Sequence, residues 1–303
     1  MPPATPSMHI AALLVPDFTL ILIGFLLVRL TDWGTPFWAG LEKLVYYVLF
    51  PALLFHATAR TSFDFATTGK MLEAALFATL CGIALGWFAR PLFRAAPMVF
   101  ESGVQTAFRF NSYIGLAIAS RLAGEQGTTL MALIIGFAVP LCNMAAVHAL
   151  AHKSNKLLPE LARNPLLIAA AGGMLFNLLG LHLPDIAAAT LARMGNASIA
   201  AGLIAVGAGL RLSGLHAAKG LACYFLAVKL LVLPLLGYGA ARWLGLQGVQ
   251  LQIIVMFCAL PTASSAYVLA ARMGGNGPFV AFLVSASTVV SAVTLPLWLG
   301  LAQ

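Results

Sequence analysis

Residues 256–265 read Met-Phe-Cys-Ala-Leu-Pro-Thr-Ala-Ser-Ser, which places a proline and three hydroxyl side chains in the middle of a long apolar run. Pro261 lacks the backbone donor of a helical residue and clashes with the carbonyl four residues earlier. This stretch therefore predicts a helix that breaks at mid-span, with Thr262, Ser264 and Ser265 beside the freed backbone groups. An ordinary proline kink, whose hydroxyls bond to their own helix, is the alternative.

A second polar stretch lies half a chain earlier, where residues 104–115 read Val-Gln-Thr-Ala-Phe-Arg-Phe-Asn-Ser-Tyr-Ile-Gly. At an offset of 151 residues, Asn111 corresponds to Thr262. Polar side chains at mid-span are costly in hydrocarbon, so they normally face a cavity or a partner. A half-helix that starts after a break points N–H groups and a partial positive charge into such a cavity, which favours a carboxylate. The candidate substrate-binding residues are Arg109, Asn111, Ser112, Gly115, Pro261, Thr262, Ser264 and Ser265.

The same offset aligns further residues of the two halves: Arg60 with Arg211, Gly86 with Gly237, Arg121 with Arg272, and Gly124 with Gly275. Each half would hold five membrane spans, an odd number, so the second copy would enter from the opposite side. Inverted repeats are a transporter architecture, with the binding site at their interface near the midplane. The expected organisation is a first five-helix repeat over residues 1–152, a linker over 153–163 and a second repeat over 164–303.

The composition excludes most soluble folds. Of the 303 residues, 61% are hydrophobic and only 9% are charged, and the mean hydropathy is +0.96. A soluble chain is about 25% charged, so the sequence predicts an all-α polytopic membrane protein. The ten apolar runs that could form transmembrane helices are 9–29, 37–59, 71–90, 98–123, 127–150, 164–182, 190–211, 218–242, 248–273 and 278–301. Helices 4 and 9 contain the two polar stretches and are expected to be discontinuous and to cross.

The basic residues indicate an orientation in the membrane. Lys and Arg total 17 against 9 Asp and Glu, and they are scattered among loops rather than gathered on one face, which argues against nucleic-acid binding. With the N-terminus outside, 10 of them lie at inner ends of spans and 5 at outer ends. The positive-inside rule then favours a multi-pass protein of the inner or plasma membrane, with both termini outside and a cytoplasmic loop between helices 5 and 6.

Three charged residues, Asp17, Arg109 and Lys229, lie deep inside the predicted spans. Arg109 either contacts an anion or is neutralised by carbonyls freed at the break. Lys229 is either a fixed cation in the site, in the place of a coupling ion, or a lysine that reaches toward the membrane surface. Asp17 either titrates in proton coupling or caps the helix after Pro16. Polar contacts between helices are expected from Asn143, Asn177, Ser287 and Thr288.

The sequence holds no recognisable motif of an enzyme or a metal site. It contains no HExxH, GxSxG or Walker A pattern, and its four cysteines lie in apolar runs without CxxC spacing. His148 and His152 have i,i+4 spacing but lack an acidic or cysteine partner nearby. We therefore expect no enzyme activity, no metal and no cofactor.

Three stretches resemble the auxin efflux carrier family, which includes plant auxin exporters and bacterial organic-acid transporters. They are residues 110–116, residues 261–270 and the ending from Ser287-Thr288 through Thr294-Leu295-Pro296-Leu297-Trp298. Asn164-Pro165, and Lys229-Leu230 with Pro234, are also similar to family positions. The resemblance implies a ten-helix fold like that of bile acid:sodium symporters, with scaffold and transport domains and crossed broken helices at the site.

The resemblance also implies organic anions as substrates, which are auxins in plants and malonate- or malate-type acids in bacteria. The long cytoplasmic loop of many plant members is absent, which favours a compact bacterial type. The expected function is a secondary transporter or facilitator of small organic anions that works by alternating access at the helix 4/9 crossover. A sodium-coupled symporter of larger amphipathic anions is the alternative. The expected partners are the anion and the lipid bilayer, with a homodimer left open and no nucleic acid.

Overall fold

The described part of the chain is entirely helical in its regular structure. This computed structural model describes the backbone of residues 6–60, 65–150, 165–211 and 218–303, and the predicted linker over 153–163 lies outside them. The α-helices are α1 (Pro6–Leu30), α2 (Gly34–Leu44), α3 (Phe50–Arg60), α4 (Phe65–Leu92), α5 (Pro97–Gly103), α6 (Ser112–Leu150), α7 (Pro165–Leu178), α8 (Asp185–Ala208), α9 (Lys219–Ala227), α10 (Leu233–Trp243), α11 (Gly248–Ala259), α12 (Ser265–Arg272) and α13 (Gly277–Leu301).

In the part of the chain that the structure describes, two π-helical turns and one 3₁₀ turn continue these helices. Val45–Leu49 joins α2 to α3, and Val228–Val232 joins α9 to α10. The 3₁₀ turn Val104–Ala107 follows α5 directly. Such turns displace side chains from the regular helical positions and are frequent at functional sites.

Among the described residues, six helical stretches are long and apolar enough to cross a membrane, which confirms an all-helical membrane protein. They are Gly34–Arg60, Thr68–Leu92, Pro97–Leu150, Asp185–Ala208, Lys219–Trp243 and Gly277–Leu301, and Ile168–Leu178 and Gly248–Ala259 are shorter apolar helices. The ten-span count and the inverted repeat stay predictions.

A sharp kink divides the 54-residue stretch from Pro97 to Leu150. Ala123 and Gly124 leave helical geometry inside α6, and Gly124 has φ +56°. Only glycine adopts that conformation without strain. Residues 119 and 127 come so close across the kink that a Cβ on Gly127 would collide with the Ala119 carbonyl oxygen. The kink lies between the predicted fourth and fifth spans, and the part of α6 before it is the second half of the predicted fourth span.

Helix boundaries recur at the offset found in the sequence. α4 and α10 end 151 residues apart, at Leu92 and Trp243. The starts of α5 and α11 differ by the same 151 residues, as do the starts of α2 and α8. The start of α8 at Asp185 lies earlier than the predicted 190, because Pro184 stands just before the helix and an acid occupies its first turn.

Close backbone approaches at glycines join one group of helices. α1 packs on α8, and α3 packs on α7 and α8. A Cβ on Gly24 would collide with the Ile204 carbonyl oxygen, and one on Gly207 would collide with that of Ile21. Small residues of this kind let membrane helices pack with their backbones in contact. The second group contains α4, α5 and α6 with the helices from α9 to α13, and it holds both broken helices.

Candidate functional site

Both polar stretches interrupt their helices. α5 and its 3₁₀ turn end at Ala107, residues 108–111 are not helical, and α6 starts at Ser112. α11 ends at Ala259, residues 260–264 are not helical, and α12 starts at Ser265. Leu260, just before Pro261, has ψ 143°, the extended conformation that a following proline imposes. The second stretch is therefore a true break rather than a simple kink.

The two breaks bind to each other directly. The Asn111 backbone N–H donates to the Pro261 carbonyl at 2.8 Å. The Thr262 hydroxyl donates to the Thr106 carbonyl at 2.8 Å, and both of those residues are buried. At each break, some backbone groups have no partner within their own helix, and residues of the other break supply those partners.

Asn111 has two different roles at the first break. Its Oδ1 accepts from the backbone N–H groups of Tyr113 and Ile114, at 3.1 and 3.2 Å, so the side chain caps the N-terminus of α6. Its Nδ2 is buried and has no hydrogen-bond partner among the described residues. These backbone N–H groups at the start of α6 are the ones that the sequence predicted would bind a carboxylate, and the cap already occupies them. The side-chain Nδ2 of Asn111 remains as a donor without a partner in the described residues.

Arg109 is a buried cation at the same junction. Only 7% of the residue is exposed. One guanidinium nitrogen donates to Gln105 Oε1 at 3.1 Å, and another donates to Ser265 Oγ across the second break at 2.9 Å. Neither partner carries a charge, so the guanidinium is solvated by neutral groups from both breaks.

The serines beside the breaks differ in exposure. Ser265 is exposed, so the Arg109 guanidinium donates to a residue at the surface of the molecule. The Ser264 hydroxyl oxygen is buried and unpaired within the part of the chain that the structure describes. Ser112 is half-buried at the first position of α6. The unpaired donors at the junction are therefore Asn111 Nδ2 and Ser264 Oγ.

A family model described as "Membrane transport protein" matches residues 146–299, half of the chain. The chain belongs to this family. Its resemblance to the auxin efflux carriers is thereby confirmed, and the protein is a membrane transporter, not an enzyme.

Two curated relatives cover nearly the whole transporter. An "Uncharacterized transporter" from Methanothermobacter thermautotrophicus is 24% identical over 291 residues, which are 92% of this chain and 94% of the relative. A "Putative malonate transporter" from Rhizobium meliloti is 26% identical over 301 residues, which are 95% of this chain and 94% of the relative.

Two other predicted site residues, Thr262 and Gly115, stabilise the breaks of the transporter through packing and backbone hydrogen bonds. The backbone N–H of Thr262 donates to Ser287 Oγ on α13 at 3.1 Å. A Cβ on Gly115 would lie 2.6 Å from Met131 Cε and 2.8 Å from Leu260 Cδ1, so this glycine allows the second break to pack on α6. The Thr288 hydroxyl donates within its own helix, to the Val284 carbonyl.

Lys229 is buried in the π-helical turn of the transporter. The residue is 2% exposed, and its Nζ donates to the Cys258 carbonyl at 3.1 Å. Cys258 lies in the last turn of α11, next to the second break. The side chain therefore turns inward to the break and does not reach for the membrane surface.

Asp17 lies eleven residues inside α1, so it does not cap the helix start. Its carboxylate accepts from Arg121 Nε at 2.7 Å, and its side chain is 3% exposed. The sequence suggested no partner for Asp17, because Arg121 follows it by 104 positions and only tertiary packing brings the two together. This pair joins α1 to the part of α6 that precedes the Gly124 kink.

Of the two predicted interhelical asparagines, Asn177 forms a contact between helices. Asn177 Nδ2 donates to the Ala59 carbonyl at 3.0 Å and thereby connects α7 to α3. Asn177 also lines a cavity of about 270 Å³ together with Arg60, His182 and Asp185. Asn143 is half-buried in α6.

Two contributors to the site were missing from the predicted set. Thr106 supplies the acceptor for Thr262, and Gln105 supplies one for Arg109. Both are polar residues of the first quoted stretch, so mid-span polarity was a usable signal for them.

Proposed function

We propose that this transporter carries small organic anions of the malonate or malate type, and that it binds their carboxylates where the two helix breaks meet. The observation that carries the proposal is the buried Arg109 guanidinium, which has only neutral hydrogen-bond partners, at two breaks that each hold a buried donor without a partner among the described residues. A carboxylate would supply the missing charge and the missing acceptors together.

The charge argument concerns Arg109. The ion pairs of the described residues are Arg121–Asp17 and Arg60–Glu125, and Arg109 is in neither. An intramembrane cation is costly and normally marks a substrate pathway or finds a counterion. Its planar fork matches a carboxylate with two parallel hydrogen bonds, which a bound anion would accept.

The polar argument concerns Asn111 Nδ2 and Ser264 Oγ. A buried donor without an acceptor costs about 1–3 kcal/mol. Such a cost is expected at a site that a substrate fills and empties. Because Asn111 Oδ1 already caps α6, we propose that side-chain donors hold the carboxylate more than the first amides of that helix do.

We further propose the architecture that such transport requires. Ten spans would form two inverted repeats, over residues 1–152 and 164–303, with a cytoplasmic linker over 153–163, both termini outside and the two broken helices crossed. The 151-residue recurrence of helix boundaries and the excess of cations at the inner ends support this arrangement. Alternating access would then be the movement of one helix group against the other around the breaks.

The name of the Rhizobium meliloti relative supports malonate as the first substrate to test. That relative is similar to this chain along nearly its whole length, so the comparison includes both breaks. Malonate and malate each carry two carboxylates, and lactate or an indole carboxylate carries one.

The experiment is counterflow in proteoliposomes preloaded with malonate, malate, lactate or an indole carboxylate. We expect accelerated uptake of labelled acid for a dicarboxylate, with or without a sodium gradient. Arg109→Gln should weaken apparent affinity by about tenfold or more, the size expected for a hydrogen bond to a charged group. Arg242→Gln, at an exposed helix end, is the matched control and should behave like the wild type.

Two outcomes would count against this proposal. Exchange that proceeds equally well in folded Arg109→Gln would remove the guanidinium from the site. A strict sodium requirement together with preference for large amphipathic anions would favour sodium-coupled symport instead.

A further inference from the structure

We infer that Lys229 is a tethered cation that holds the broken end of α11, in the role that a dissolved ion plays in cation-coupled carriers. The inference rests on the proposed function only where its test measures transport; the melting-temperature test does not depend on the substrate. Lys229 does not touch the proposed carboxylate site through any described contact, so it is a positioning residue.

The geometry places the Lys229 ammonium at the end of a helix. α11 ends at Ala259, and the last carbonyls of a helix have no intrahelical donor. The Phe257 carbonyl accepts from the Leu260 backbone N–H at 3.4 Å, and the Cys258 carbonyl accepts from Lys229 Nζ at 3.1 Å. Lys229 therefore takes the place of a missing backbone donor one residue before the helix ends.

Charge makes this contact favourable. A helix C-terminus carries a partial negative charge, and a cation there is stabilising, most of all in buried surroundings. In carriers built from discontinuous helices, unwound carbonyls and half-helix C-termini coordinate the coupling sodium ion. Here a lysine ammonium already lies at that kind of position.

The chain supplies a rigid base for the Lys229 side chain. Lys229 belongs to the π-helical turn Val228–Val232, which contacts α11, α13 and the 3₁₀ turn before the first break. The Leu230 carbonyl, in the same turn, accepts from the Trp298 indole N–H on α13 at 2.9 Å. The turn is thus fixed against the same helix whose Ser287 receives the Thr262 backbone N–H.

Among the described residues, Lys229 has no carboxylate partner that would give it a role in an ion pair. Neither ion pair of the described chain contains it, and the titratable groups that interact with it are the thiols of Cys142 and Cys258. A buried ammonium without a carboxylate is explained by its bond to the helix end. A carrier with this arrangement holds its own cation at the break and needs none from solution.

The test uses two variants that remove the same charge but leave different space. Lys229→Ala leaves room for a small cation, whereas Lys229→Met fills most of the volume with an apolar chain. Lys219→Ala, at the exposed start of α9, is the matched control. Each protein is purified whole, and its melting temperature is measured in N-methylglucamine buffer with added sodium or methylammonium chloride, with N-methylglucamine chloride at equal ionic strength as reference.

We expect sodium or methylammonium to raise the melting temperature of Lys229→Ala by several degrees and to leave the wild type, Lys229→Met and Lys219→Ala unchanged. Counterflow by Lys229→Ala should fall by about tenfold without the small cation, as for loss of a charged hydrogen bond, and should recover when it is added. Lys229→Met should stay slow under both conditions.

The inference is overturned if neither small cation affects Lys229→Ala, or if the wild type responds equally. It is also overturned if Lys229→Ala exchanges at the wild-type rate in N-methylglucamine buffer. If the wild type exchanges no carboxylate at all, the proposed function fails, and the melting temperatures still decide the role of Lys229.

Discussion

Asn111 shows at the scale of one residue how a single side chain serves both fold and site. Its Oδ1 caps α6, while its Nδ2 stays buried without a partner. The sequence predicted a polar mid-span residue here, because polarity in hydrocarbon requires a reason. It could not show which atom would be used for capping, since that depends on the side-chain rotamer at the break.

Substitutions at Asn111 should separate these two roles. Asn111→Asp keeps a capping oxygen and replaces the open donor with a negatively charged acceptor, so it should fold but repel a carboxylate. Asn111→Ala loses the cap as well, which costs about 1 kcal/mol of stability. Thermal unfolding in detergent should therefore rank Asn111→Asp above Asn111→Ala, while both exchange malonate poorly. Wild-type malonate exchange by Asn111→Asp would exclude the amide nitrogen from the site.

At the scale of helices, the Asp17–Arg121 pair ties α1 to α6. The Asp17 side chain is 3% exposed and the Arg121 side chain is 36% exposed. Loss of the partner is therefore more costly for the buried aspartate than for the arginine. Removing one partner of a buried pair leaves an uncompensated charge and costs up to about 3–5 kcal/mol. The aspartate would stay buried, whereas the arginine can reach water.

Arg121→Gln should therefore lower the melting temperature more than Asp17→Asn does. The double variant should be more stable than Arg121→Gln alone, because it leaves no buried charge without a partner. Thermal unfolding of the three variants in detergent tests this order. If both single variants lost the same number of degrees in melting temperature, the difference in burial between Asp17 and Arg121 would not be the cause.

The contact between α1 and α8 depends on glycine. A Cβ at Gly207 would collide with the Ile21 carbonyl oxygen, whereas one at Gly239 meets no atom within 4 Å. Gly207→Ala should destabilise the protein by about 1–3 kcal/mol through overpacking. Gly239→Ala, the control, should be neutral or stabilising by up to about 1 kcal/mol. Similar melting temperatures for the two variants would show that α1 and α8 are not in such close contact.

The positions of both helix breaks were predictable from the sequence, but the hydrogen bonds between the two breaks were not. Pro261 predicted the second break through local chemistry that acts wherever a proline interrupts a helix. The first break has no proline, and its polar residues alone indicated it. The hydrogen bonds between Asn111 and Pro261, and between Thr262 and Thr106, join residues about half a chain apart, so they depend on tertiary packing.

The proposed inverted repeat can be tested at the scale of the whole molecule. Ala96 and Gln247 are both exposed, lie just before α5 and α11, and are 151 residues apart. Equivalent positions of inverted repeats lie on opposite sides of the membrane. With the N-terminus outside, Ala96→Cys should be cytoplasmic and Gln247→Cys should be external.

Labelling intact cells with a membrane-impermeant maleimide measures this arrangement. Gln247→Cys should react in intact cells, and Ala96→Cys should react only after lysis; the wild type, with its four native cysteines, is the background control. Reaction of both introduced cysteines from the same side would contradict the inverted repeat. Reaction of Ala96→Cys alone from outside would keep the repeat but reverse the orientation.

The claim that a carboxylate binds where the two breaks meet is tested most directly by equilibrium binding of labelled malonate to purified protein. We expect saturable binding to the wild type and affinities lowered by about tenfold or more in Arg109→Gln and in Asn111→Asp. The double variant should lose less than the sum of the two losses, because both side chains would act on one bound anion. Malonate affinities equal to that of the wild type in both folded single variants would contradict this site.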